Sequence, residues 1–253
     1  GAPARAYEMY TDLLGRFAKD LSDHEHAAAL YRLGESARRL GKLDEAKAPL
    51  EEALDLNPSD LTPMSSLAEL LLEKGDFQAA LTIKSQHLEA VEGDQRVRLL
   101  MEMGDIASEK LNDRTQAAKS YVAALEEKPD DRRLLTKLMQ LYSEEKDWGK
   151  LVEVVLRLAE FVDDSRQKAK YMHTAAIVSG RQMGDVDRAI EYYERVLELD
   201  PEMGKALTEA IELQRQRGDY EAVEKLLKRR LKRASEKKDT KTLLETFTEL
   251  GEL

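Results

Sequence analysis

Small and apolar residues recur in this chain at a long, regular spacing, and that recurrence restricts the fold more than any single motif does. Ala46, Ala80, Ala117, Leu151, Ala189 and Val223 follow one another at intervals of 34 to 38 residues. A second row, Gly34, Ala68, Gly104, Met139, Ala176 and Ile211, stays in step with the first. Self-similarity at such a period marks stacked supersecondary units, each too small to bury its own apolar face. Residues 27–60 show the unit. Leu30, Leu33, Gly34 and Ala37, then Ala46, Leu50, Ala53 and Leu54, lie at helical spacing on either side of the turn Gly41-Lys42-Leu43-Asp44, and Pro58 stops the second helix. The spacing predicts antiparallel helix pairs over 27–60, 61–96, 97–131, 132–168, 169–203 and 204–238. Residues 4–20 read as a lone second helix and 240–253 as a lone first helix, which brings the expected total to about 14 helices in one array over 1–253.

A longer period is superimposed. Odd pairs end in Pro58, Pro129 and Pro201, whereas even pairs share the turns Gly75-Asp76-Phe77, Lys146-Asp147-Trp148 and Gly218-Asp219-Tyr220. In those turns the aspartate is expected to cap the next helix and the aromatic to pack between neighbouring pairs. Ser22 with Glu25, and Thr242 with Glu245, read as capping boxes. Neither terminal helix has the polar face that ends a stacked array, so the array is expected to continue in a longer protein.

The pattern resembles the tetratricopeptide repeat family. Leu30, Leu33-Gly34, Ala37, Ala46, Leu50, Ala53 and Pro58 stand at that family's signature positions in the first unit, and Gly104, Ala117, Tyr121, Ala124-Leu125 and Pro129 in the third. The fifth repeats them with Ala189, Tyr193, Val196-Leu197 and Pro201. The resemblance implies an all-α, right-handed superhelical solenoid whose first helices line a concave groove for a protein or peptide segment. On the family's positions the groove takes Tyr31, Glu35 and Arg38 from the first unit, Glu69, Leu72 and Glu73 from the second, and Met101 and Asp105 from the third. The fourth to sixth units give Thr136 and Gln140, His173 and Ile177, and Glu212. The spans from Gly104 to Asn112 and from Ala176 to Gly184 are one residue longer than that from Gly34 to Gly41, which leaves the groove register of those two units open. A family subclass clamps a chaperone's terminal carboxylate. Its positions hold Tyr31, Glu35, Ser66, Arg98 and Glu102 here, and only Arg98 suits that chemistry.

Catalytic chemistry has little footing in the sequence. Gly34 and Gly41-Lys42 are too far apart for a phosphate loop, and Leu43 stands where that loop needs Ser or Thr. His24-Glu25-His26 places its imidazoles at i and i+2, so they diverge on a helix instead of sharing a metal. The chain lacks cysteine, which removes disulfides and thiolate sites. The expectation is a binding scaffold with no cofactor, no metal and no small-molecule substrate. Net charge is −10, but residues 225–241 hold nine basic side chains against Glu236 and Asp239. That run admits a second reading, attraction of an acidic partner, RNA or a membrane surface, although no aromatic interleaves with it. A third reading is self-assembly through the apolar terminal helices. A solvated or inter-repeat face is favoured for the basic run, and nucleic acid and membrane are disfavoured as partners. The compartment stays open, with the cytoplasm favoured.

Overall fold

The computed structural model describes residues 2–253 and falls into two compact units, which divide between Pro129 and Asp130. The first holds α1 (Ala2–Phe17), α2 (Asp23–Arg39), α3 (Leu43–Leu56), α4 (Thr62–Glu73), α5 (Phe77–Leu88), α6 (Gly93–Glu109) and α7 (Arg114–Glu127). The second holds α8 (Arg132–Glu145), α9 (Trp148–Glu160), α10 (Ser165–Ile177), α11 (Val186–Leu199), α12 (Gly204–Arg217), α13 (Tyr220–Glu236) and α14 (Thr240–Gly251). Among the described residues there are 14 α-helices and no strand. Within each unit consecutive helices fold back on one another, as short turns require.

The periodic small residues are where helices cross. Ala46, Ala80, Ala117, Ala189 and Val223 are completely buried. A built Cβ on Gly34 would lie 2.6 Å from Leu50 Cγ and 3.0 Å from the Ala46 carbonyl oxygen. Two helix backbones can approach that closely only if one side chain is missing. The apolar cores follow from these contacts. Ala37, Ala46, Leu50, Leu67, Leu70, Leu71 and Ala80 form one in the first unit. Tyr193, Val196, Leu197, Leu207, Ile211, Val223 and Leu227 carry another in the second. Met139 departs from its row: it is half-buried, and the neighbouring Leu138 fills the core instead.

Each pair closes on a residue with positive φ: Gly41 (74°), Gly75 (78°), Asn112 (53°), Lys146 (57°), Gly184 (70°) and Gly218 (81°). The turns also show where the extra residue goes. The Asp76, Asp147 and Asp219 amides donate to carbonyls five residues back, on Leu71, Tyr142 and Gln214. The Asp113 and Asp185 amides reach six back, to Ala107 at 2.8 Å and Ser179 at 2.9 Å. The insertion therefore lies after Gly104 and after Ala176. In the second case it is taken up by a π-helical turn, Val178–Gln182.

Aspartate capping is more general than the even turns suggest. Asp76, Asp113, Asp147, Asp185, Asp219 and Asp239 each accept from the amide three residues on. Ser22 and Glu25 form the expected capping box. Thr242 and Glu245 do not: Asp239 caps α14, and Thr242 supplies the amide that it accepts at 3.1 Å. The turn aromatics are also uneven. Phe77 and Trp148 are half-buried, but Tyr220 is 60% exposed and does not pack between pairs. Replacement of Asp113 by Ala is expected to lower stability by about 1 kcal/mol. Asp113→Asn, which keeps an acceptor oxygen, should retain most of it. Equal losses in urea denaturation of the two variants would show that the cap contributes nothing.

Candidate functional site

In the first unit the structure brings four of the sequence-predicted groove residues into one network. Arg38 on α2 donates to Glu35 at 3.0 Å on its own helix, and reaches Glu69 at 2.8 Å and Glu73 at 2.5 Å on α4. Glu35 also pairs with Arg39 at 2.5 Å. Burial raises the Glu35 carboxyl, but the bonds from Arg38 and Arg39 outweigh it and hold the group below its ordinary value. The Arg38 guanidinium is correspondingly pushed up, first by its bond to Glu35. Tyr31 and Leu72 are half-buried against the core of this unit. Met101 is half-buried on α6, and Asp105 accepts from the Tyr121 hydroxyl at 2.6 Å.

Between α4 and α6, over α5, lies a cavity of about 550 Å³. Its polar lining includes Ser65, Glu69, Lys84, His87, Arg98 and Glu102. Lys84 is buried and pairs with Glu102 at 2.6 Å. Burial, then the Lys84 charge, pulls the His87 imidazole below its usual range, so the neutral ring is favoured at neutral pH.

The second unit joins fewer of the predicted residues. Thr136 bonds back to the Arg132 carbonyl, Gln140 donates to Glu144, and Glu212 accepts from Gln216, so each of these three bonds stays within its own helix. Ile177 is half-buried against the core. His173 is the exception. Its Nε2 lies 2.7 Å from Glu209 on α12, and the same carboxylate accepts from the Tyr193 hydroxyl at 3.0 Å and from Arg181 at 3.1 Å. The imidazole meets the Tyr193 ring edge-on, with centroids 5.8 Å apart.

Reading positions on the first helices overlooks the contribution of the second. Tyr121 and Tyr193 occupy the same place in their pairs, four residues after Ala117 and Ala189, and each donates to a first-helix carboxylate. The repeated tyrosine was the available signal. The basic run is only in part a solvated face. Arg229 donates to the Leu197 carbonyl, Arg230 to Thr246 at 2.9 Å and to Glu249, and Arg233 and Lys237 share Glu202. These bonds tie α13 to α11 and α14, and to the turn before α12. Among the described residues no cluster of three His, Cys, Asp or Glu could hold a metal, and no helix is long and apolar enough to cross a membrane.

A family model described as tetratricopeptide repeat matches residues 37–104 and 181–244, and a second of the same description matches residues 1–60. No curated protein matches the sequence. The structure of Naa15/Naa10 bound to HypK-THB resembles 98% of the chain at 16% identity and a TM-score of 0.57, and the match spans 39% of that longer chain. The C-terminal part of a TPR repeat-containing protein from Cytophaga hutchinsonii resembles 91% of the chain, over 90% of its own length, at 17% identity and a TM-score of 0.50. YrrB, a TPR protein with an unusual peptide-binding site, matches 80% of the chain and 98% of itself at 18% identity and a TM-score of 0.45. At these identities the likeness is one of fold.

Proposed function

This chain belongs to the tetratricopeptide repeat family, and on that premise we propose that it is a non-enzymatic scaffold whose first-helix faces hold a segment of another protein. The observation that carries this reading is the cavity between α4 and α6. It opens on the first-helix side of the first unit, and its lining mixes apolar Leu61, Val91 and Leu99 with fixed charges on Glu69, Lys84, Arg98 and Glu102. Such a lining suits an extended segment that offers alternating apolar and polar side chains. Glu69 pairs with Arg38, Lys84 pairs with Glu102, and Arg98 donates to the Asp94 carbonyl of its own helix, so little ordering remains to be done on binding. Tyr31, Leu72, Met101 and Asp105 flank this region in the reading, and Thr136, Gln140, His173, Ile177 and Glu212 form its counterpart in the second unit. Naa15/Naa10, which has this fold, is bound to HypK-THB. A protein partner for the present chain is the corresponding inference.

Selection from a displayed random-peptide library against the full chain tests the reading. Glu69→Lys with Glu102→Lys should weaken the selected peptides by roughly 10-fold or more. Glu52→Lys with Asp55→Lys, an equal charge change on the exposed face of α3, should leave them within about twofold. Indifference to the first pair, with loss on the second, would move the binding surface to the second helices.

A further inference from the structure

The second unit has a cavity of about 450 Å³ between α12 and α14, over α13. It lies where the α4–α6 cavity lies in the first unit. Gly204, Lys205, Thr208, Arg230 and Ala234 line the one, and Leu61, Thr62, Ser65, His87 and Val91 stand at the same repeat positions in the other. The charges differ. The α4–α6 cavity balances Lys84 and Arg98 with Glu69 and Glu102. The α12–α14 cavity sets Lys205, Arg230, Arg233 and Lys237 against Glu209 and Asp239.

Both of those carboxylates are already engaged. Glu209 accepts from His173, Tyr193 and Arg181, and Asp239 caps α14. The cations are less well matched. Arg233 and Lys237 share the single carboxylate of Glu202, with Arg233 at 3.5 Å, and Lys205 makes no ion pair among the described residues. Gly204 adds room. A Cβ built there would meet the Arg233 guanidinium at 3.1 Å, so the absent side chain leaves that group open to the cavity.

We propose that the α12–α14 cavity is a pocket for an acidic side chain, an aspartate or glutamate of a partner segment lying on the first-helix face, with Lys205 and Arg233 as its direct cationic contacts. The pocket rests on the reading that this face is the partner surface. It adds the chemical class of the segment at one defined place: acidic where the chain crosses α12. Arg230, fixed by Thr246 and Glu249, serves as a rigid wall and not as a free donor.

A labelled hexaglutamate peptide, followed by fluorescence anisotropy against the full chain at low salt, tests it, with hexalysine as the reversed control. Hexaglutamate should bind and hexalysine should not. Lys205→Glu with Arg233→Glu should weaken binding by roughly 10-fold or more. Lys225→Glu with Lys232→Glu makes the same charge change on the exposed face of α13 and should cost less than about twofold. Gly204→Leu keeps every charge but fills the mouth, and should match the first pair in effect with helix content unchanged by circular dichroism. Equal losses from the two charge-reversed pairs would reduce the effect to diffuse attraction and overturn the pocket. Full displacement of hexaglutamate by inorganic phosphate at millimolar concentration would make it a small-anion site, which also overturns a peptide pocket. If hexaglutamate fails to bind while library peptides still depend on Glu69 and Glu102, the acidic pocket falls and the groove reading stands.

Discussion

Gly104→Ala should destabilise the first unit by about 1–3 kcal/mol, although alanine is the better helix former by about 1 kcal/mol. The reason is the approach of α7 to α6. A Cβ on Gly104 would lie 2.6 Å from Tyr121 Cδ1 and 2.9 Å from Cζ, well inside contact distance. Gly34→Ala meets the fully buried Leu50 side chain at 2.6 Å and the Ala46 carbonyl oxygen at 3.0 Å, and should cost a comparable amount. The Tyr121 ring is stiff, almost fully buried, and tethered at its far end by the bond to Asp105. It cannot yield to the new methyl without giving up that bond. Urea denaturation measures the loss, and a double-mutant cycle with Tyr121→Ala isolates its cause. The double variant should lose less than the sum of the single variants, because the clash disappears with the ring. Additive losses would locate the damage elsewhere. Stability in repeat proteins is transmitted mainly between neighbours. Hydrogen exchange should therefore rise first in α6 and α7, with α11 to α13 protected as before.

Gly104 also shows what the sequence can and cannot convey. Its place in the periodic row identifies it as a crossing point, because close backbone approach demands a small residue there and the demand repeats in every pair. Helix number and pairing were legible for the same reason. The extra residue between Gly104 and Asn112 was visible as spacing, but not the hydrogen-bonded turn that absorbs it. That depends on which carbonyl the Asp113 amide selects, and spacing does not encode it. The π-helical turn after Ile177 was hidden in the same way. Exposure of Tyr220 was missed because an aromatic after Gly-Asp resembles Phe77 and Trp148 locally, while burial depends on the neighbouring pair. In the candidate site the first-helix residues were legible from their positions. Lys84 and Arg230 were not, since they reach the cavities from second helices that the position rule omits.

The pairing of Arg38 with Glu69 and Glu73 lay equally beyond local pattern, since it joins different helices, and it supports the other large expectation. Arg38→Met should cost about 3 kcal/mol at neutral pH, the lower end of the range for breaking a buried ion pair. The Glu35 side chain is 9% exposed, whereas Glu69 and Glu73 are 55% and 43% exposed and partly hydrated without help. Methionine keeps most of the apolar stem, so the loss reads out charge and not packing. Its pH dependence follows from Glu35. In the wild type this carboxyl titrates below its ordinary value, so its contribution is fully present above the unfolded pKa and is lost as pH falls through the lower folded value. In Arg38→Met burial faces only Arg39, which is 64% exposed, and the carboxyl moves upward. The variant then relieves its strain by taking up a proton before the wild type does. The stability gap should therefore narrow steadily as pH is lowered from about 7 to about 4. Urea titrations at both pH values decide the matter. A gap that stays constant would mean that the loss does not come from the Arg38–Glu35 charge pair, and that the charges on α2 and α4 do not organise this face.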